Sequence, residues 1–264
     1  MGKNDSTKTR VEPFMDFLGE DKNKLNQFLK LFNSNRKIEI MEDSFKVFYG
    51  KKTTKHEGEK AIPAPISLLK WYIDHPEQLA KEENKQDKYG HPSKKTIENR
   101  AAFFRGDSNK KNEAYEGIAK IKNRKEYKYG YSWFIFEGYT KPDIFIKTDS
   151  SIFIGEAKRT EPKLTGSVKW YEQRDQLIRH VDSVIDCGKK VYSFFILDSK
   201  KYENLEDHEN QEKNLKFYKK SLPHRSDEDI KKIMETYIGC ITWHELEEEF
   251  PELKTIFSKE RSGK

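Results

Sequence analysis

The chain has 264 residues and a mass of 31.3 kDa, with 51 Lys and Arg against 45 Asp and Glu, a formal net charge of +6. Charged residues (36%) outnumber hydrophobic ones (34%), no apolar run of about 18 residues is present to span a bilayer, and the 13% aromatic content is too high for a disordered chain. Two cysteines, Cys187 and Cys240, exclude a disulfide scaffold and a cysteine-based zinc site, and they fit free thiols in a reducing cytoplasm.

The first residues, Met1-Gly2-Lys3-Asn4-Asp5, lack the apolar stretch of a signal peptide, although Gly2 with Ser6 matches a myristoylation-like string. Phe14, Leu18, Leu25, Phe28, Leu29 and Phe32 recur on one stripe of period 3.6, which predicts a helix over 12–33. Lys37-Ile38-Glu39-Ile40, a turn at Glu42-Asp43-Ser44 and Phe45-Lys46-Val47-Phe48-Tyr49 predict a hairpin. Residues 50–60 are hydrophilic, and Pro63-Ala64-Pro65 precedes a short helix through Leu68, Leu69, Trp71 and Tyr72. Residues 81–99 are nearly all polar, with Gly90 and Pro92, and are expected to be a loop. That loop divides an N-terminal accessory region, 1–95, from a core, 96–264.

Beyond residue 100 helical and strand patterns alternate. Asn112–Lys122 reads as a helix with Ala114, Ile118 and Ile121 inward, and Ser132–Phe136 as a buried strand. Asp143–Ile146 and Ile152–Lys158 are two strands around a turn at Thr148-Asp149-Ser150-Ser151. Trp170, Leu177, Val181, Val184 and Ile185 mark one side of a long amphipathic helix that Gly188 stops. Val191–Leu197 is a strand buried on both faces. Ser226 with Asp229 opens a helix, Gly239-Cys240-Ile241 is a short strand, and Thr242 with Glu245 forms a capping box.

The chemistry concentrates on the central hairpin. With the turn centred on Asp149 and Ser150, Phe145 lies opposite Ile154, Ile144 opposite Gly155, and Asp143 opposite Glu156. Two opposed carboxylates, with Cβ atoms about 4.5–5.5 Å apart, repel unless a cation sits between them. Hard oxygen ligands suit Mg²⁺. Glu156 and Lys158 are two apart and share a face. An ammonium there can orient an attacking water and favour its deprotonated form, which suits in-line attack on a phosphodiester. Glu-x-Lys alone carries no weight, because it recurs at Glu20/Lys22, Glu83/Lys85, Glu126/Lys128, Glu161/Lys163 and Glu252/Lys254. The weight lies in Pro142-Asp143 opening one apolar strand and Glu156-Ala157-Lys158 ending the next. The competing reading is an ordinary hairpin with surface charges at its open end.

Pro142-Asp143 followed by Glu156-Ala157-Lys158, between a preceding and a following helix, resembles the PD-(D/E)xK nuclease superfamily, whose best-known members are type II restriction endonucleases. The resemblance covers roughly residues 110–200, with 226–250 as a closing strand and helix. It implies an α/β (α+β) fold: a restriction-endonuclease-like core, with a mixed central sheet flanked by helices and an N-terminal helix-plus-hairpin extension. It implies that Asp143 and Glu156 bind Mg²⁺ (Mn²⁺ substituting), that the Ala157 carbonyl is a further ligand and that Lys158 is the catalytic lysine. Many members add a glutamate from the preceding helix. Glu116 fits best and Glu113 is the alternative, although Glu116 lies off the inward stripe, where an exposed acid needs no function. Gln173, Gln176 and His180 share one flank of the following helix, with Arg179 nearby, and suit a phosphate. Gln176 and His180 could equally bond each other. Lys163, Lys169 and Arg174 are expected as further contacts to the DNA backbone.

The expected function is a Mg²⁺-dependent endonuclease on double-stranded DNA, a restriction enzyme acting as a homodimer whose two sites reach both strands. Residues 1–95 would serve recognition or dimerisation. The rivals are a repair, phage or transposon-associated nuclease of the same fold, a non-catalytic DNA-binding module, and a protein-interaction domain with solvated charges. His244-Glu245-Leu246-Glu247-Glu248 lacks the second histidine of a zinc-protease helix. Gly50-Lys51-Lys52-Thr53 lacks the upstream glycine of a phosphate loop. Arg105-Gly106-Asp107 reads as a turn.

Overall fold

The computed structural model describes residues 7–19, 21–32, 38–41, 44–53, 57–79, 93–121, 132–159, 164, 168–202 and 205–262. The Gly2/Ser6 string, the turn residues Glu42 and Asp43, the stretch 81–92 and Lys163 lie outside the described residues. The strands, in chain order, are β1 (Lys46–Tyr49), β2 (Ile62–Pro63), β3 (Tyr139–Thr140), β4 (Ile144–Lys147), β5 (Ser151–Ala157), β6 (Lys190–Leu197) and β7 (Tyr237–Thr242). The helices are α1 (Glu12–Leu18), α2 (Lys22–Lys30), α3 (Ile66–Asp74), α4 (Lys94–Phe104), α5 (Ser108–Ala119), α6 (Gln176–Asp182), α7 (Leu205–Glu209), α8 (Gln211–Ser221), α9 (Asp227–Met234), α10 (Trp243–Glu249) and α11 (Glu252–Ser262). Five strands form one sheet in the order β1-β4-β5-β6-β7. The pairs β1/β4 and β4/β5 are antiparallel, and β5/β6 and β6/β7 are parallel. The arrangement is therefore a mixed sheet flanked by helices. Among the described residues no helix is long and apolar enough to cross a membrane.

Every residue of β5 is buried, because helices cover both faces of the sheet and period 2 sends alternate side chains to each. Phe153 and Ala157 join a core with Phe14 of α1, Phe28 of α2, Phe194 of β6, Trp243 of α10 and Phe257 of α11. Ile152 and Ile154 join a second core with Leu177, Ile178 and Val181 of α6, Tyr218 of α8 and Ile230 of α9. Each such Phe, Leu or Ile contributes about 1.5–3 kcal/mol on burial. Gly155 is required between them: a Cβ there would stand 2.4 Å from the Phe194 ring. A third cluster joins α3, α4 and α5 to Trp133–Phe136, Trp170 and Tyr171, with no strand of the central sheet.

Several expectations are met in detail. The hairpin register is Ile144 to Gly155 and Phe145 to Ile154. Gly188 adopts a left-handed φ of 75° at the end of a 3₁₀ turn, Ile185–Cys187. Ser226 caps α9, and Thr242 with Glu245 forms the reciprocal capping box of α10. Gly106 turns with φ of 89° and Asp107 caps α5. Cys187 and Cys240 are free thiols.

Other expectations are corrected. The helix over 12–33 is two helices, because Gly19 takes φ of 57° and Asp21 accepts from the Asn23 and Lys24 amides to start α2. The N-terminal hairpin is replaced by a longer-range pairing. β1 adds to β4, while Ile38 and Ile40 are core residues without strand pairing. Alternation marks which side chains are buried but not which strand is the partner. The accessory region 1–95 therefore contributes an edge strand and two helices to the central sheet's own core. Ser132–Phe136 is a buried turn, with the Ile135 amide donating to Ser132, and its rings pack on Phe103 and Trp170. A short apolar run does not distinguish a strand from a buried coil. Residues 94–99 belong to α4, capped by Ser93. Its buried stripe is only Thr96, Arg100 and Phe103, too thin to show a period. The long helix after β5 shrinks to α6, capped by Asp175, with Trp170 before it in a turn.

Candidate active site

Asp143 stands one residue before β4, the next step of the ladder beyond Ile144 and Gly155, across from Glu156. Strand alternation sends Glu156 to the same face as Ile152 and Ile154, the face covered by α6. The Lys158 amide donates to Ile196 of β6 at 2.8 Å. The N–H and C=O of the preceding residue, Ala157, therefore point the other way, toward β4. The Ala157 amide donates to Asp143 Oδ2 at 2.9 Å. Asp143 Oδ1 accepts from the Thr7 hydroxyl at 3.3 Å, so the N-terminal π-helical turn Thr7–Val11 lies against the site.

Glu156 is only 1% exposed. Its Oε2 accepts from Gln176 Nε2 at 2.8 Å and pairs with the Lys158 amine at 3.4 Å, and its Oε1 meets His180 Nε2 at 2.5 Å. The Lys158 amine also donates to Gln176 Oε1 at 3.3 Å. The lysine backbone is fixed at both ends, because Trp243 Nε1 donates to its carbonyl at 3.1 Å. These groups gather at the carboxyl ends of parallel strands β5 to β7, where open α/β sheets bind ligands.

The electrostatics follow from enclosure. Burial first, and then the charge of Glu156, pushes the Asp143 carboxyl from 3.8 up to about 7. Burial likewise raises Glu156, against the pull of Lys158. Burial and the nearby Arg179 guanidinium lower His180 to about 3, so its ring is neutral. Two acids that resist ionising together are what a divalent cation relieves. Among the described residues no group of three or more His, Cys, Asp or Glu side chains is arranged to hold a metal ion. The oxygen donors present for one are the two carboxylates and the Ala157 carbonyl, a hard set that fits Mg²⁺ rather than zinc.

The other candidates divide. Gln176 reaches the site through both Glu156 and Lys158, and His180 through Glu156. Arg179 is half-buried and donates to Glu137 at 3.1 Å and to the Tyr139 carbonyl at 2.9 Å. Gln173 is exposed in the turn before α6. Glu116 lies on α5 with its side chain 73% exposed and paired with Lys120 one turn on. Glu113 accepts from Trp133 Nε1 at 2.9 Å, and so serves the third cluster. Arg174 is corrected as a DNA contact. Its side chain is 0% exposed, paired with Glu137 and Asp182 in a network with Tyr72 and Arg225. Lys169 lies 5.7 Å from the Trp170 ring centre. Three residues of the site escaped sequence reasoning: Thr7, Thr140, whose hydroxyl meets His180 Nδ1, and Trp243. The first is 136 positions from its partner and carries no sequence signal. Trp243 follows the capping Thr242 at a strand-to-helix junction, the one local hint of its place.

A scan against models of protein families, a search of curated proteins and a search of solved structures found no match to this chain.

Proposed function

We propose that the protein is a metal-dependent phosphodiesterase, specifically a Mg²⁺-dependent endonuclease of the PD-(D/E)xK type acting on double-stranded DNA. The observation that carries the reading is the Ala157 amide donating to Asp143. It draws that carboxylate to Glu156 on the next strand, with the Lys158 amine 3.4 Å from Glu156. Asp143, Glu156 and the Ala157 carbonyl would hold the ion. When bound, Mg²⁺ supplies Lewis acidity and positive charge against the charge that grows on the phosphate. Lys158, 12% exposed and tethered by Gln176, orients the attacking water. Gln176 holds both the acid and the amine, and so fixes their separation. A restriction role, cleavage as a homodimer and DNA rather than RNA rest on the resemblance of Pro142-Asp143 and Glu156-Ala157-Lys158 to that superfamily.

The test is incubation of plasmid DNA with Mg²⁺ or Mn²⁺ and the wild-type, Asp143→Ala and Lys158→Ala proteins. Wild type is expected to cut. Lys158→Ala loses about 10²–10⁴-fold, the size of one positioned proton-handling group. Asp143→Ala shows no cleavage above background. Equal activity in all three removes the proposal. Defined bands indicate a restriction enzyme, whereas progressive end-digestion indicates a repair-type nuclease.

A further inference from the structure

We propose that His180 is a positioning residue for Glu156, holding that carboxylate in its metal-binding orientation through a chain that runs Thr140–His180–Glu156; the proposal rests on the nuclease reading above. His180 is 1% exposed, which removes it from any phosphate. Both ring nitrogens are engaged: Nδ1 with the Thr140 hydroxyl and Nε2 with Glu156 Oε1, each at 2.5 Å. An ionised glutamate, the form that ligates a metal, can only accept. Nε2 therefore carries the hydrogen, and Nδ1 accepts from Thr140. The threonine fixes the tautomer, and the tautomer fixes the carboxylate.

The chain joins three elements that share no ladder: β3, α6 and β5. With Oε1 tied to His180, Oε2 turns to the Gln176 amide and the Lys158 amine. A core role alone does not account for this. His180 lies between Leu177 and Val181 on a helix that packs on apolar side chains. A leucine there would fill space without the cost of burying two polar nitrogens.

The experiment measures Mn²⁺ affinity by calorimetry on the full chain, with thermal unfolding in EDTA and metal-free DNA binding as controls. A Gln side chain can carry its amide nitrogen to the place of Nε2, whereas Asn reaches only the place of Nδ1. His180→Asn is expected to weaken Mn²⁺ binding about 10–100-fold, the usual effect of removing a group that orients a metal ligand. His180→Gln restores most of the affinity. DNA binding without metal stays at the wild-type level in both. Thr140→Val weakens Mn²⁺ binding while Thr140→Ser does not, and this pair decides the matter if His180→Asn does not fold. A folded His180→Asn with wild-type affinity overturns the proposal, as does equal loss in His180→Gln and His180→Asn, or in Thr140→Ser and Thr140→Val. Absence of Mn²⁺ binding by the wild type instead overturns the nuclease reading itself.

Discussion

Replacing Asp143 by Asn is expected to stabilise the metal-free protein while it abolishes cleavage. Asp143 is pushed from 3.8 up to about 7, by burial first and then by Glu156. A carboxyl with a raised folded pKa favours folding in its protonated form. Its contribution is present at low pH and lost as pH rises from about 4 through about 7, because the unfolded chain then ionises the group freely. At ~1.4 kcal/mol per pH unit the ceiling on the loss is about 4 kcal/mol at pH 8. Asp143 keeps some solvent exposure, which screens its charge and lowers the expected gain to about 1–3 kcal/mol. Asn carries no charge, and its Oδ1 can still accept from the Ala157 amide. Urea unfolding in EDTA at pH 4 to 8 is the assay. The variant should come nearest to wild type around pH 4, at the unfolded pKa, and exceed it increasingly up to pH 8. A variant less stable than wild type at pH 8, or a gain that does not change with pH, refutes the reasoning. The result would place the site among those that give up stability for function.

Glu116→Gln should leave cleavage unchanged, since the Glu116 side chain is 73% exposed and paired with Lys120; a plasmid assay showing a large loss would place it in the site. Gly155→Ala forces a Cβ to 2.4 Å from the Phe194 ring and should cost about 1–3 kcal/mol, read by urea unfolding. Arg174→Ala leaves Glu137 and Asp182 buried beside a missing cation and should cost about 3–5 kcal/mol. A mere DNA contact at Arg174 would instead lower DNA affinity and leave the unfolding curve where it was.

The site was legible where short-range geometry fixes it. The turn at Asp149 and Ser150 sets the register of β4 and β5, so the opposition of Asp143 and Glu156 follows from counting. Caps were legible for the same reason: Ser226, Thr242 and Glu245 satisfy amides three residues away. Long-range choices were not. Val47 and Tyr49 bury equally well against any neighbouring strand, so the pairing of β1 with β4 across about a hundred residues leaves no local trace. Trp133–Phe136 is apolar at every position and shows no period, so its coil reads as a strand. The exposure of Glu116 was legible from its place off the inward stripe, whereas the enclosure of His180 was not, because helical spacing locates a side chain on a face but not the burial of that face. His180 on α6 is enclosed, whereas Glu116 on α5 is open.

The central claim is that Asp143 and Glu156 share one divalent ion. Titration of the wild-type and Asp143→Ala proteins with Mn²⁺ by calorimetry at pH 8 tests it with no assumption about substrate. Saturable binding by wild type, lost in Asp143→Ala while its fold is retained, is the predicted result. Equal binding by the two proteins would contradict it.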